Sequence, residues 1–128
     1  MSVVNEICSQ YLDALNRADL KKVLSLFEDD AVVISPLYGE VPVVEFYNSL
    51  FSDTQESKTR LLKILESTEN HNIVALHFQF KWTLENGGYI DFECVDLFEL
   101  SLNSNRFQKL TIVYDTYPIR EDFNSLSH

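Results

Sequence analysis

Basic residues are scarce in this sequence: ten lysines and arginines stand against twenty aspartates and glutamates, giving a net charge of −10. Nucleic acid and anionic membrane both demand clustered Lys and Arg. Apart from Lys21-Lys22 the basic residues are scattered, so both partner classes are excluded. No apolar run approaches the length that crosses a bilayer, and the opening MSVVNEICSQYL lacks the basic start and small-residue cleavage site of a secretory signal. Cysteine is rare too. Cys8 and Cys94 both fall on apolar faces, which predicts two free, buried thiols rather than a disulfide, and with them a cytoplasmic protein.

Other absences remove whole chemistries. The three glycines, Gly39, Gly87 and Gly88, sit at expected turns, so there is no glycine-rich phosphate loop. No Gly-x-Ser-x-Gly nucleophile elbow occurs. The three histidines, His71, His77 and His128, have no metal-ligand spacing, and no cysteine or carboxylate completes a cluster. Neither a metal nor a cofactor is expected.

What remains is an ordinary globular composition, 45% hydrophobic and 23% charged over 128 residues, without repeats or linkers. This is enough chain for one domain, 1–128, with a sizeable core. Residues 3–16 carry Ile7, Tyr11 and Leu15 at helical spacing. Asp19 is the expected N-cap of a second helix with the stripe Leu20, Val23, Leu24 and Phe27. A short strand over 31–35 runs into Pro36; Gly39 and Pro42 then mark a turn and the start of a third helix, VVEFYNSLF. From about Lys58 the period changes to two. In NIVALHFQFKWTL, Val74, Leu76, Phe78, Phe80, Trp82 and Leu84 alternate with Ala75, His77, Gln79, Lys81 and Thr83. ENGG is a hairpin turn, YIDFECVDLFELSL returns, and RFQKLTIVYDTYP supplies a last long strand. Helices followed by a strand meander predict an α+β domain, with three helices packed on one face of an antiparallel or mixed sheet.

One placement breaks this pattern. In FECVDLFEL, Phe92, Cys94, Asp96, Phe98 and Leu100 share a face that is apolar except for a central carboxylate. Asp96 is either a strand-edge residue reaching water or a desolvated acid inside a cavity, where it would remain protonated and donate a hydrogen bond. Tyr11, on the apolar stripe of the first helix, is either a core tyrosine or the second donor of such a site.

The segment YLDALNRADLKKVLSLFEDDAVV, with GEVPVVEFYNSLF, VDLFEL and KLTIVYD, resembles the ketosteroid isomerase and SnoaL-like polyketide cyclase families of the nuclear transport factor 2-like superfamily. The resemblance implies a cone-shaped fold whose strongly curved sheet wraps against three helices around a pocket. In the isomerases, a first-helix tyrosine and a protonated late-strand aspartic acid form an oxyanion hole; Tyr11 and Asp96 fall on those positions. The aspartate that acts there as general base stands immediately before a proline. Here Ser35 precedes Pro36, and a serine hydroxyl is too weak a base unless another group activates it.

The resulting expectation is a pocket with a polar end made by Tyr11 and Asp96 beside Ser35. Its walls would come from Phe27, Phe46, Tyr47, Trp82, Phe92, Phe98 and Tyr114. The expected ligand is a small apolar or polycyclic molecule with a carbonyl or phenol oxygen at the buried end. Proton transfer next to a carbonyl, as in an isomerase or cyclase, would be the chemistry. Glu40 and Asp115 are expected on the surface, and His77 on the polar sheet face. The same superfamily also implies a homodimer through the exposed sheet face, and a rival role as a non-catalytic protein-interaction or assembly module.

Overall fold

The computed structural model describes residues 3–126, so His128 lies outside the described residues. In chain order the elements are α1 (Val3–Asn16), α2 (Leu20–Ser25), β1 (Phe27–Ser35), β2 (Gly39–Pro42), α3 (Val43–Asp53), β3 (Thr54–Glu66), β4 (Ile73–Leu84), β5 (Tyr89–Leu100), β6 (Phe107–Val113) and α4 (Tyr117–Asn124). The strands form one curved, unclosed sheet in the order β2-β1-β6-β5-β4-β3. Only β1 against β6 is parallel, so the α+β class with a mixed sheet is as expected.

Local chemistry explains most of the boundaries. At the end of α1, Ala18 takes the left-handed conformation (φ 51°). The Asp19 and Ala18 amides then donate to the Ala14 and Leu15 carbonyls at 2.9 and 3.1 Å, closing the helix. Asp19 at once caps α2, its carboxylate accepting from the Lys22 amide at 3.0 Å. The β4–β5 hairpin turns over Leu84–Gly88, with Gly87 at φ 87°.

Four boundaries differ from expectation. Phe27 is not part of α2: the helix ends at Ser25, and β1 starts four residues earlier than the apolar run suggested. The Phe107 amide donates to the Leu26 carbonyl at 2.8 Å, so Phe27 enters the sheet opposite Phe107. Residues 39–42, expected as a turn, form the short strand β2 against β1. β3 starts at Thr54, straight after α3, and the Trp82 indole donates to the Thr54 hydroxyl at 2.8 Å. The last strand stops at Val113, and Tyr117–Asn124 form a fourth helix. Pro118 lies in its first turn, where a missing N–H costs nothing, whereas a central strand would need that donor.

The core lies between the helices and the concave face of the sheet. Ile7, Tyr11 and Leu15 of α1 and Val43, Phe46, Tyr47 and Leu50 of α3 are buried against it. On β4, Val74, Leu76, Phe78, Phe80, Trp82 and Leu84 are all buried, as their period of two requires. α4 adds Ile119 and Phe123 at i, i+4.

Candidate functional site

Asp96 faces inward from β5, paired with Leu76 on β4 and Ile112 on β6, and is 2% exposed. No cation stands opposite it in the ladder. The small side chain of Cys94, two residues along the same face, donates its thiol proton to Asp96 Oδ1 at 3.4 Å. From the other side of the core comes Tyr11, whose hydroxyl lies 2.8 Å from that of Tyr47 on α3. Either tyrosine can supply the proton of that bond. When Tyr47 donates, the Tyr11 O–H is left to point at Asp96.

Burial dominates the electrostatics. Desolvation pushes Asp96 up from 3.8 to about 7, against the hydrogen bonds from Cys94 and Tyr11 that favour its ionised form. At neutral pH the group is divided between its acid and its carboxylate. Desolvation also holds Tyr11, Tyr47, Tyr114 and the Cys94 thiol well above their ordinary values, and pushes the Cys8 thiol up to about 12. All remain neutral donors at physiological pH, and neither thiol is a nucleophile.

Around this polar end lies a cavity of about 40 Å³. Tyr11 and Leu15 of α1, Phe46 and Leu50 of α3, and Ser35 and Tyr38 line one side. Phe78, Phe80 and Trp82 of β4, Phe92, Cys94 and Asp96 of β5, with Ile112 and Tyr114, line the other. The sequence-derived residues Tyr11, Ser35, Asp96, Phe46, Trp82, Phe92 and Tyr114 therefore do meet around one space. Phe27, Tyr47 and Phe98 do not line it. Each is 0% exposed and packs ring against ring at the closed end of the core. Tyr47 nonetheless touches the site through the Tyr11 hydroxyl.

A family model of the SnoaL-like domain matches residues 8–104. The chain belongs to the SnoaL-like family. None of the curated proteins compared with it matches. Solved structures agree on the fold of this SnoaL-like chain. An NTF2-like protein of unknown function from Burkholderia pseudomallei superposes with a TM-score of 0.79 at 20% identity, covering 94% of this chain and 97% of that one. TerC co-crystallized with polyporic acid gives 0.79 at 15%, covering 97% and 100%. An LEH-like epoxide hydrolase from M. tuberculosis gives 0.72 at 13%, covering 95% and 89%. Names this different on one scaffold mean that the fold carries no single chemistry.

The remaining polar residues of the SnoaL-like chain fall into place by geometry. Ser35 lines the cavity, but its oxygen accepts from the amides of Leu37 and Tyr38 at 3.2 and 3.1 Å. Its lone pairs are engaged by the turn, which leaves it a donor rather than a proton acceptor. Glu40 and Asp115 are exposed. His77 points to the outer face and meets Glu93 at 2.7 Å. Among the described residues no group of three His, Cys, Asp or Glu side chains could hold a metal ion, and no helix is long and apolar enough to cross a membrane. Of the lining residues that the sequence did not assign to the site, two are polar, Cys94 and Tyr38. Cys94 shares a strand face with Asp96, and that alternation was the signal for it. Tyr38 lies in a turn, where no periodicity marks it.

The cavity is small beside the expected ligand. At about 40 Å³ it holds a few heavy atoms, while benzene occupies engineered cavities of about 150 Å³. In this conformation no aromatic ring fits, single or fused, so a ring enters only when a lining side chain moves aside.

Proposed function

We propose that this SnoaL-like protein binds a small molecule through a carbonyl or phenol oxygen, held by the Tyr11 hydroxyl and the protonated form of Asp96. One observation carries the reading: a carboxyl group 2% exposed, with its proton affinity raised, faces a cavity instead of a cation. Negative charge on the ligand oxygen, as in an enolate or phenolate, is what two such donors stabilise. Isomerisation beside a carbonyl needs a base in addition to the donors. Asp96 is the sole carboxyl among the described lining residues, and Ser35 cannot accept a proton. Binding is thus favoured over isomerase turnover, and proton exchange with a bound ligand falls to Asp96, whose titration near neutrality suits both directions. A non-catalytic assembly module has no need of this cavity. The paired outer sheet face is assigned to a second copy of the chain. The two free thiols, Cys8 and Cys94, suit a reducing cytoplasm.

The test is a titration with 4-nitrophenol, read by quenching of Trp82 and by the visible band that separates phenol from phenolate. Wild type is expected to bind it as a lining side chain gives way, and Tyr11→Phe and Asp96→Leu, each of which removes one donor, to weaken binding about tenfold, the equivalent of one charge-assisted hydrogen bond. Absence of binding to folded wild type overturns the reading and puts the assembly module first.

A further inference from the structure

We propose that Tyr38 is a movable partition, and that the inner cavity and a groove outside it form one two-part site for an elongated ligand with an oxygen-bearing head and a neutral or cationic tail. This rests on the reading of the inner cavity as the head site. The groove, about 580 Å³, runs along α3 beneath the β1–β2 turn and α4. It lies back to back with the cavity, because Tyr38 and Phe46 line both. The wall between the two spaces is one side chain thick.

Of those two residues, Phe46 is fixed by α3, while Tyr38 sits half-buried on the turn between β1 and β2. Its ring stands edge-on to Phe46 and to Phe123 of α4, with centroids 5.4 and 5.0 Å away. Its hydroxyl donates to Asp53 Oδ2 at 2.7 Å, on the groove side. These are side-chain contacts of a half-buried ring on a turn and not part of a backbone ladder, so a ligand that replaces them can turn the ring. Once Tyr38 turns, the small polar end and the large groove become continuous. Their joint volume then falls in the range of roughly 300–1,000 Å³ typical of small-molecule sites.

The groove also specifies the tail. Leu37, Val41 and Phe123 offer an apolar side, and α3 contributes Glu45, Asn48 and Asp53. Among the described residues no lysine, arginine or histidine lines it. Apolar contact followed by hydrogen-bond donors or positive charge is favoured there, and an anionic tail is repelled.

Trp82, the chain's single tryptophan, lines the inner cavity and reports on access to it. Three probes with one head separate the parts: phenol, tyramine with a cationic tail, and 3-(4-hydroxyphenyl)propanoate with an anionic one. Wild type should bind tyramine more tightly than propanoate, and Glu45→Gln should narrow that gap. Tyr38→Ala should raise acrylamide quenching of Trp82 and tighten tyramine binding about tenfold, as expected when a closed state populated at roughly 90% is removed. Tyr38→Phe keeps the ring, loses the Asp53 bond and should lie between; it carries the test if the alanine variant does not fold. Unchanged quenching and unchanged tyramine affinity in folded variants overturn the partition. Equal binding of the two tails, in wild type and Glu45→Gln alike, overturns the groove. Phenol binding that ignores Asp96→Leu while the Tyr38 response persists sinks the head reading alone.

Discussion

The space between helices and sheet has two ends built from the same kinds of residue, and only one of them is full. At the closed end Phe27, Phe98 and Phe107 meet Tyr11 and Tyr47. Phe98 and Phe107 stack at 3.9 Å, with Phe27 edge-on to Phe107 at 5.2 Å. At the other end Phe92 lies 5.4 Å from Phe80 and 4.5 Å from Tyr114, yet room remains. The count of rings does not separate the two ends; the residues between them do. Ser35, Cys94 and Asp96 occupy inward positions that large side chains would fill, and each is polar. An empty apolar hole would merely lower stability. A hole walled by rings and ended by donors has a use that compensates.

The largest effect expected from this contrast is on packing. Phe98→Ala removes a ring that is 0% exposed and should cost about 3–5 kcal/mol. Phe92→Ala, at the open end and half-buried, should cost roughly half as much. Urea unfolding of both variants checks the difference; equal losses would mean that the two ends are packed alike.

Next comes the carboxyl itself. Asp96 titrates at about 7 in the folded protein, against 3.8 ordinarily. The folded state therefore holds the proton to higher pH than the unfolded chain does. Stability linked to Asp96 is intact below pH 4 and is lost as pH climbs through 7, at up to about 1.4 kcal/mol per pH unit. Asp96→Asn should abolish that slope: little change at pH 4, and a gain of a few kcal/mol over wild type at pH 8. Unfolding midpoints at pH 4, 6 and 8 decide it. A constant difference across that range would mean that Asp96 titrates as an exposed carboxyl and that the open end is wet.

Much of this was legible in the residues. The period of two in β4 and β5 placed Asp96 and Cys94 inward, and helical spacing placed Tyr11 inward, because both signals depend only on which face is buried. One feature was misread where tertiary pairing overrode a local stripe. Phe27 continued the α2 pattern, yet parallel pairing with Phe107 drew it into β1. Pro118, Ile119 and Phe123 carried the signature of α4, masked by the preceding strand. Whether a ring lines a cavity or fills a core was not legible, since Phe92 and Phe98 occupy equivalent positions on one strand. Tyr38 depends on the packing of a turn against two helices, and no pattern encodes that.

The smallest effect on stability is expected on the opposite face of the same strands. There His77 meets Glu93 at 2.7 Å, and Arg60, Gln79 and Asp91 form a chain of hydrogen bonds. Surface pairs of this kind contribute about 0–1 kcal/mol each. Interleaved with them, Leu65, Leu97 and Val113 are 54%, 38% and 52% exposed, and Leu65 and Leu97 flank Ala75 across three strands. Apolar residues set in a polar ladder suit a wet interface with a second copy better than open solvent. Leu97→Lys should leave the unfolding of the single chain within about 0.5 kcal/mol of wild type, but halve the mass measured by light scattering. A monomeric wild type would remove the second copy and leave the outer face a solvated surface, with all the specific packing of β4 and β5 on their inner side.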